Sequence, residues 1–152
     1  MLGSHSNVAT LSIVYADLRR IAEFCDDDIV LHTADRGASG GPAQVVGKKA
    51  VLDKELSLIR LTGETLHMDV QHIIANDYFG AVLGVLRAHH DGSAVGMPFC
   101  GLWRFRNGRI VEHWENAYDA SALGGFLTGE LASASAWLSG GQTDVNGAQA
   151  RI

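Results

Sequence analysis

A chain of 152 residues that is 47% apolar is long enough for one domain with a buried core, and too apolar for disorder along most of its length. Its net charge of −5 and pI near 5.7 argue against a nucleic-acid or anionic-membrane surface, because either needs clustered Lys and Arg. Cys25 and Cys100 form no CxxC and set neither a disulfide framework nor a zinc motif. No apolar run approaches the ~20 residues of a membrane helix, and no secretory leader is read at the N-terminus, so a cytoplasmic protein is expected.

The first ~25 residues predict helix, since Val8, Leu11, Val14 or Tyr15, Leu18, Ile21 and Cys25 recur at spacings of three and four. Asp17 is placed to cap a second helix that begins at Leu18. The acidic run Asp26-Asp27-Asp28 reads as a solvated turn. Ile29 to Thr33 reads as a short strand, and residues 34–47 as a loop rich in Gly and Ser that lacks the spacing of a phosphate-binding motif. Gly47 to Leu61 predicts a third helix with Val51, Leu52, Leu56 and Ile59 on one side, stopped at Thr62-Gly63.

The remainder reads mostly as sheet: Leu66 to Ile74, Tyr78 to His90, Phe99 to Arg106, and Arg109 to Asn116. Asp119 onward returns to helical composition. The domain is expected over residues 1–140, with a flexible tail over 141–152. Helices set apart from a meander of strands make an α+β fold. A curved antiparallel sheet wrapped around the helices would leave a conical cavity suited to a small molecule.

Among the titratable residues, His32 stands alone on a short apolar strand and titrates near neutrality, which suits proton transfer. His113 and Glu115 are two apart and so share a strand face. The other histidines lack the close spacing of a metal site, so no metal and no cofactor are expected. Arg104, Arg106 and Arg109 read as a solvated hairpin tip.

The turn at Asn107-Gly108 decides which strand faces meet. A two-residue turn pairs Arg106 with Arg109. A three-residue turn with a bulge at Gly108 pairs Phe105 with Arg109 and is the one expected here. It groups Phe99, Gly101, Trp103, Val111, His113 and Glu115 on one face, and Cys100, Leu102, Ile110, Glu112 and Trp114 on the other.

The segments D-D-D-I-V-L-H-T, G-K-K-A-V-L-D and W-R-F-R-N-G-R-I-V-E-H-W-E, in this order and spacing, resemble the SnoaL-like polyketide cyclase and ketosteroid isomerase group, which shares the nuclear-transport-factor-like cone fold. By that resemblance His32 occupies the place of the isomerases' general base. Gly101 stands where they carry an oxyanion-hole aspartic acid, so this is not a conventional steroid isomerase; Tyr15 is no certain counterpart of their first-helix tyrosine. Glu115 resembles the acid/base aspartate of the cyclases.

The expectation is a small cofactor-independent enzyme that moves a proton on an apolar carbonyl compound, as an isomerase, cyclase or hydratase/dehydratase. His32 and Glu115 would be its acid/base residues and His113 their helper, with Phe99, Trp103, Gly101 and Tyr15 as substrate contacts. A non-catalytic ligand-binding or dimerisation module of the same fold is the alternative. The expected partners are a small apolar molecule and a second copy of the chain, docked through the outer sheet face, with no nucleic acid and no membrane.

Overall fold

The computed structural model describes residues 4–129; the expected tail lies outside the described residues. The chain opens with helix α1 (Ser6–Ala16), a single 3-10 turn at Leu18–Arg20 and the short α2 (Ile21–Phe24). Strands β1 (Cys25–His32) and β2 (Gln44–Val46) lead to α3 (Lys48–Leu61). The strands β3 (His67–Ala75), β4 (Phe79–His90), β5 (Ser93–Arg106) and β6 (Arg109–Ala117) follow, and α4 (Ala120–Thr128) closes the described chain.

The helix boundaries follow the capping chemistry. Asp17 splits the N-terminal helical stretch by accepting the Arg19 backbone N–H at 3.2 Å, and Asp119 starts α4 by accepting from Ala122 N at 2.9 Å. Gly47, at φ 102°, sits just before α3, in a conformation that favours glycine.

All six strands form one curved sheet in the order β2-β1-β6-β5-β4-β3, with β1 and β6 parallel and every other pair antiparallel. Alternate residues of each strand point to the helices, as in the pattern of β5, where Val95, Met97, Phe99, Gly101, Trp103 and Phe105 are all buried. Leu11, Val14, Ile21, Val51 and Leu123 close the core from the helix side. The α+β class expected from the sequence is therefore the one observed.

Two secondary-structure expectations fail. The Asp26–Asp28 run is no turn but the first half of β1, where pairing with β6 is irregular between Cys25 and Val30. Arg106 and Arg109 are exposed at the hairpin tip, as expected, and pair there with Asp26 at 3.2 and 3.0 Å. The loop over residues 34–47 contains β2, an edge strand too short to announce itself by alternation.

The turn at Asn107-Gly108 is the two-residue one, with φ of 53° and 78° at the two central residues and Arg106 opposite Arg109. The expected three-residue turn is thus wrong. The extra residue enters further along: Phe105 faces Ile110, Arg104 faces Glu112, and Val111 is the bulge between them. That insertion lets Ile110 and His113, three apart, both point inward. Ile110 is fully buried, so its expected place on the outer face is corrected. Past the bulge, Trp103 lies opposite His113 and Gly101 opposite Glu115, and both pairs face the helices.

Candidate functional site

Between the inner sheet face and helices α1, α3 and α4 lies a narrow cavity of about 50 Å³. Most of its wall is aliphatic or aromatic, from Leu58, Leu66, Met68, Leu86, Val95 and Phe99. The polar side chains on it come from α1 and β6: Tyr15, His113, Glu115 and Asn116, with Thr62 from the end of α3.

Tyr15 is placed by α1, one residue after the fully buried Val14. Its ring stacks on Phe99, centroids 5.7 Å apart, and meets Trp103 edge-on at 5.8 Å. Trp103 Nε1 donates to the Tyr15 hydroxyl at 3.2 Å. The phenol proton is therefore left free to be donated. Burial raises the Tyr15 pKa far above its usual value, and the neighbouring Glu115 and Glu55 charges add to this, so the hydroxyl stays protonated. Gly101 explains how the phenol fits: a methyl group there would overlap the Tyr15 hydroxyl and stand 3.0 Å from Trp103 Nε1. Tyr15 fills the space beside Gly101.

His113 is buried, with its ring stacked on Trp103 at 3.4 Å between centroids. Its Nδ1 bonds the Leu102 carbonyl oxygen at 3.0 Å. A carbonyl only accepts, so Nδ1 carries the proton and Nε2 keeps its lone pair. Burial drives the His113 pKa down to about 3, with Arg36 and His32 repelling the charged form further, so the ring is neutral at physiological pH.

Glu115, two residues on, shares the face. Burial lifts its carboxyl to about 7, against the pull of Lys54 and Arg36. A carboxyl poised there exchanges a proton readily near neutrality.

The site also contains Glu55 of α3, which the sequence reading missed. It is 1% exposed, and neither carboxylate oxygen has a hydrogen-bond partner. Burial, reinforced by repulsion from Glu115, raises its pKa well above the ordinary carboxylate range. One donor atom from each of Glu55, His113 and Glu115 lies within 4.8 Å of the others, the one cluster of such donors that close among the described residues. Two carboxylates and an imidazole are a donor set that a divalent cation accepts.

The sequence signal for Glu55 was its phase: it lies four residues after buried Val51 and three before cavity-lining Leu58, a charged residue on the apolar helix face.

Two expected site residues sit elsewhere. His32 points to the opposite side of the sheet, because Leu31 takes the inward position opposite His113 and His32 pairs with Trp114. There it contacts Glu112 at 2.7 Å and stacks on Trp114 at 5.2 Å, and Arg104 holds the other Glu112 oxygen at 3.0 Å. Burial would raise the Glu112 carboxyl, but these two partners outweigh it and hold it below the ordinary range. His32 is therefore corrected from a cavity acid/base to an outer-face partner of Glu112. Trp103 is fully buried behind His113 and Tyr15, so it supports the site from beneath and does not line it.

Residues 13–113 match the SnoaL-like domain, two-thirds of the chain. No curated protein matches. Among solved structures, Bal32a from a soil-derived mobile gene cassette superposes with a TM-score of 0.71 at 24% identity, covering 80% of this chain and 95% of that one. A loop-truncation variant of IdmH gives 0.60 at 25% identity, over 78% of this chain and 95% of that one. Wild-type IdmH, from Streptomyces antibioticus and proposed to be a polyketide cyclase, gives 0.58 at 22%, over 78% and 94%. With two-thirds of its length matched, this chain belongs to the SnoaL-like domain family.

Proposed function

We propose that this chain is a small cofactor-independent enzyme that moves a proton on an apolar carbonyl compound, by isomerisation, cyclisation or hydration and dehydration. The observation that carries this reading is Glu115: a carboxyl lifted to about 7 that opens onto an apolar cavity across from a protonated phenol. Ionised Glu115 takes a proton from the carbon next to the carbonyl. The C–H electron pair moves into the carbonyl oxygen, and the enolate oxygen accepts a hydrogen bond from Tyr15. Glu115 then returns the proton to carbon. By the resemblance, the isomerases' oxyanion acid would project from the place of Gly101; here the Tyr15 hydroxyl occupies that space from α1. Neutral His113 offers Nε2 as an acceptor that fixes the protonated Glu115 carboxyl or a substrate hydroxyl. Phe99 and the aliphatic wall would hold the substrate skeleton.

The family and the likeness to IdmH, proposed to be a polyketide cyclase, support this reading. A reducing cytoplasm suits Cys25 and Cys100, which are unpaired. We also propose a homodimer through the outer sheet face, where Ile74, Phe79, Leu83 and Leu102 are each more than two-fifths exposed.

The test is α-carbon deuterium exchange in a panel of cyclic ketones. Glu115→Gln should slow exchange about 10²–10⁴-fold, and Tyr15→Phe about 10²–10³-fold. Wild-type protein that binds members of the panel and exchanges none would instead make the domain a binding module. Full activity in Glu115→Gln would move the base elsewhere.

A further inference from the structure

Packing gives no reason for a carboxyl at position 55. Glu55 is 1% exposed, and neither of its oxygens has a hydrogen-bond partner among the described residues, Lys54 beside it included. Such a group weakens a fold, and an apolar side chain of similar size would pack there without that penalty. Buried carboxylates persist where they are paired or where they hold a metal ion. What Glu55 does have nearby is a donor atom from each of His113 and Glu115, all three within 4.8 Å of one another. Spacing along the chain hid this set, because one member lies on α3 and two on β6.

Donor atoms that share one ion lie about 3–4 Å apart, since each sits about 2.1 Å from the metal. Side-chain movements of about 1 Å therefore bring these three onto one ion. The His113 ring is already set for ligation. Its Nδ1–H is given to the Leu102 carbonyl at 3.0 Å and its face is stacked on Trp103, which fixes tautomer and plane and leaves the Nε2 lone pair unspent. Metal-bound histidines are oriented in this way, through the ring nitrogen that does not ligate. Glu55 and Glu115 also line a recess of about 20 Å³ on the α3 side, room for one water-sized body. His113 and Glu115 border the apolar cavity as well, so the position left over on the ion would face it.

Asp35, Lys54 and Arg36 carry the other charges around this place. Asp35 is already engaged, accepting from the backbone N–H of Gly37 at 3.1 Å and of Ser39 at 2.9 Å. Two carboxylates cancel the charge of one dication, so the occupied cluster is neutral. One imidazole and two carboxylates suit Zn²⁺ or Mn²⁺. They do not suit Ca²⁺, which takes about six to eight oxygens, or Mg²⁺, which keeps several waters.

We propose that Glu55, His113 and Glu115 form a binding site for one divalent transition-metal ion of the Zn²⁺ or Mn²⁺ kind, and that the bound ion silences Glu115. The site itself does not depend on the proposed function; the silencing rests on Glu115 being the base. The carboxylate lone pair that would take the α-proton forms the metal–oxygen bond instead, and no electron is transferred. The ion is an inhibitor of proton transfer and not its cofactor.

Calorimetry on the intact, metal-stripped protein tests the site. Zn²⁺ should bind one ion per chain, Mg²⁺ and Ca²⁺ should give no comparable heat, and Glu55→Gln should weaken Zn²⁺ about 100-fold or more. Glu55→Met, of similar volume, replaces the amide variant should that fail to fold. ¹⁵N NMR of the wild-type imidazoles needs no variant: Zn²⁺ should move the His113 Nε2 resonance and leave Nδ1 protonated. That separates the site from adventitious binding at the exposed His67, His72, His89 and His90. In ketone α-exchange each protein is compared with its own metal-free rate. Saturating Zn²⁺ should stop wild-type exchange, a chelator should restore it, and Glu55→Gln should need about 100-fold more Zn²⁺.

Equal Zn²⁺ affinity in wild type and Glu55→Gln, or an unmoved His113 resonance, overturns the site. Full wild-type exchange at saturating Zn²⁺ overturns the silencing. Metal-free wild type that exchanges no ketone marks a different failure, that of the proposed function, and the calorimetry then still decides the site.

Discussion

Glu115 and His113 sit two residues apart and respond to burial in opposite directions. Burial disfavours charge in both, so it raises the carboxyl to about 7 and lowers the imidazole to about 3. The consequences for stability run opposite ways. Below about pH 4.3 Glu115 is protonated in both the folded and unfolded chains, and its contribution is fully present. As pH rises through about 7, the unfolded chain ionises first and that contribution is lost. His113 has a depressed folded pKa, so its contribution is present above about 6.5 and is lost as pH falls toward about 3. The wild-type curve mixes the two, and the informative quantity is the difference from a variant. Urea unfolding at pH 5 and pH 8 should show a smaller alkaline loss in Glu115→Gln than in wild type, by about 1–3 kcal/mol. That range sits below the full linkage value because Glu115 opens onto the cavity. Identical losses would contradict the buried, raised carboxyl.

At the scale of elements, the site depends on β6 and its bulge at Val111. Asn107-Gly108 advertises a hairpin, and the hairpin is there with the tight turn such a pair favours. Alternation fails as a guide because one residue inserted after the turn exchanges every later side chain between faces. The bulge has no residue signature of its own, since Val111 is as good a strand residue as its neighbours. The inward facing of His113 and Glu115 was read correctly, but through a register that does not occur, and Ile110 shows the error. His32 was misread for a related reason. Its face is set by parallel pairing of β1 with β6, a contact between segments some 80 residues apart that no local pattern encodes. Helical positions were more legible: α3 was found within one residue of its start, and Asp17 and Asp119 cap helices as their chemistry requires. Within α3, reading only the apolar positions hid Glu55, the residue with least reason to be buried there.

At the scale of the whole molecule, the sheet separates two chemistries. On the inner side Tyr15, His113 and Glu115 line the cavity, with Glu55 buried beside Glu115. The outer face holds the His32–Glu112–Arg104 group and an apolar surface of Ile74, Phe79, Ala81, Leu102 and Trp114 around a shallow concavity. The proposed homodimer would bury that surface, each copy presenting the same apolar residues across a two-fold axis. In sedimentation experiments the wild type should run as a dimer and Leu102→Lys as a monomer, with α-exchange retained, because Leu102 points away from the cavity. A monomeric wild type would contradict the dimer and leave the inner-face chemistry standing.

The assignment of work to the inner face is tested most directly by the pH dependence of ketone α-exchange in wild type, Glu115→Gln and His32→Gln. The account predicts a wild-type rate that rises through about pH 7, the midpoint of the Glu115 carboxyl. It predicts a flat background rate in Glu115→Gln, and a His32→Gln profile that overlays the wild type. A collapse of activity in His32→Gln with the profile intact in Glu115→Gln would contradict it.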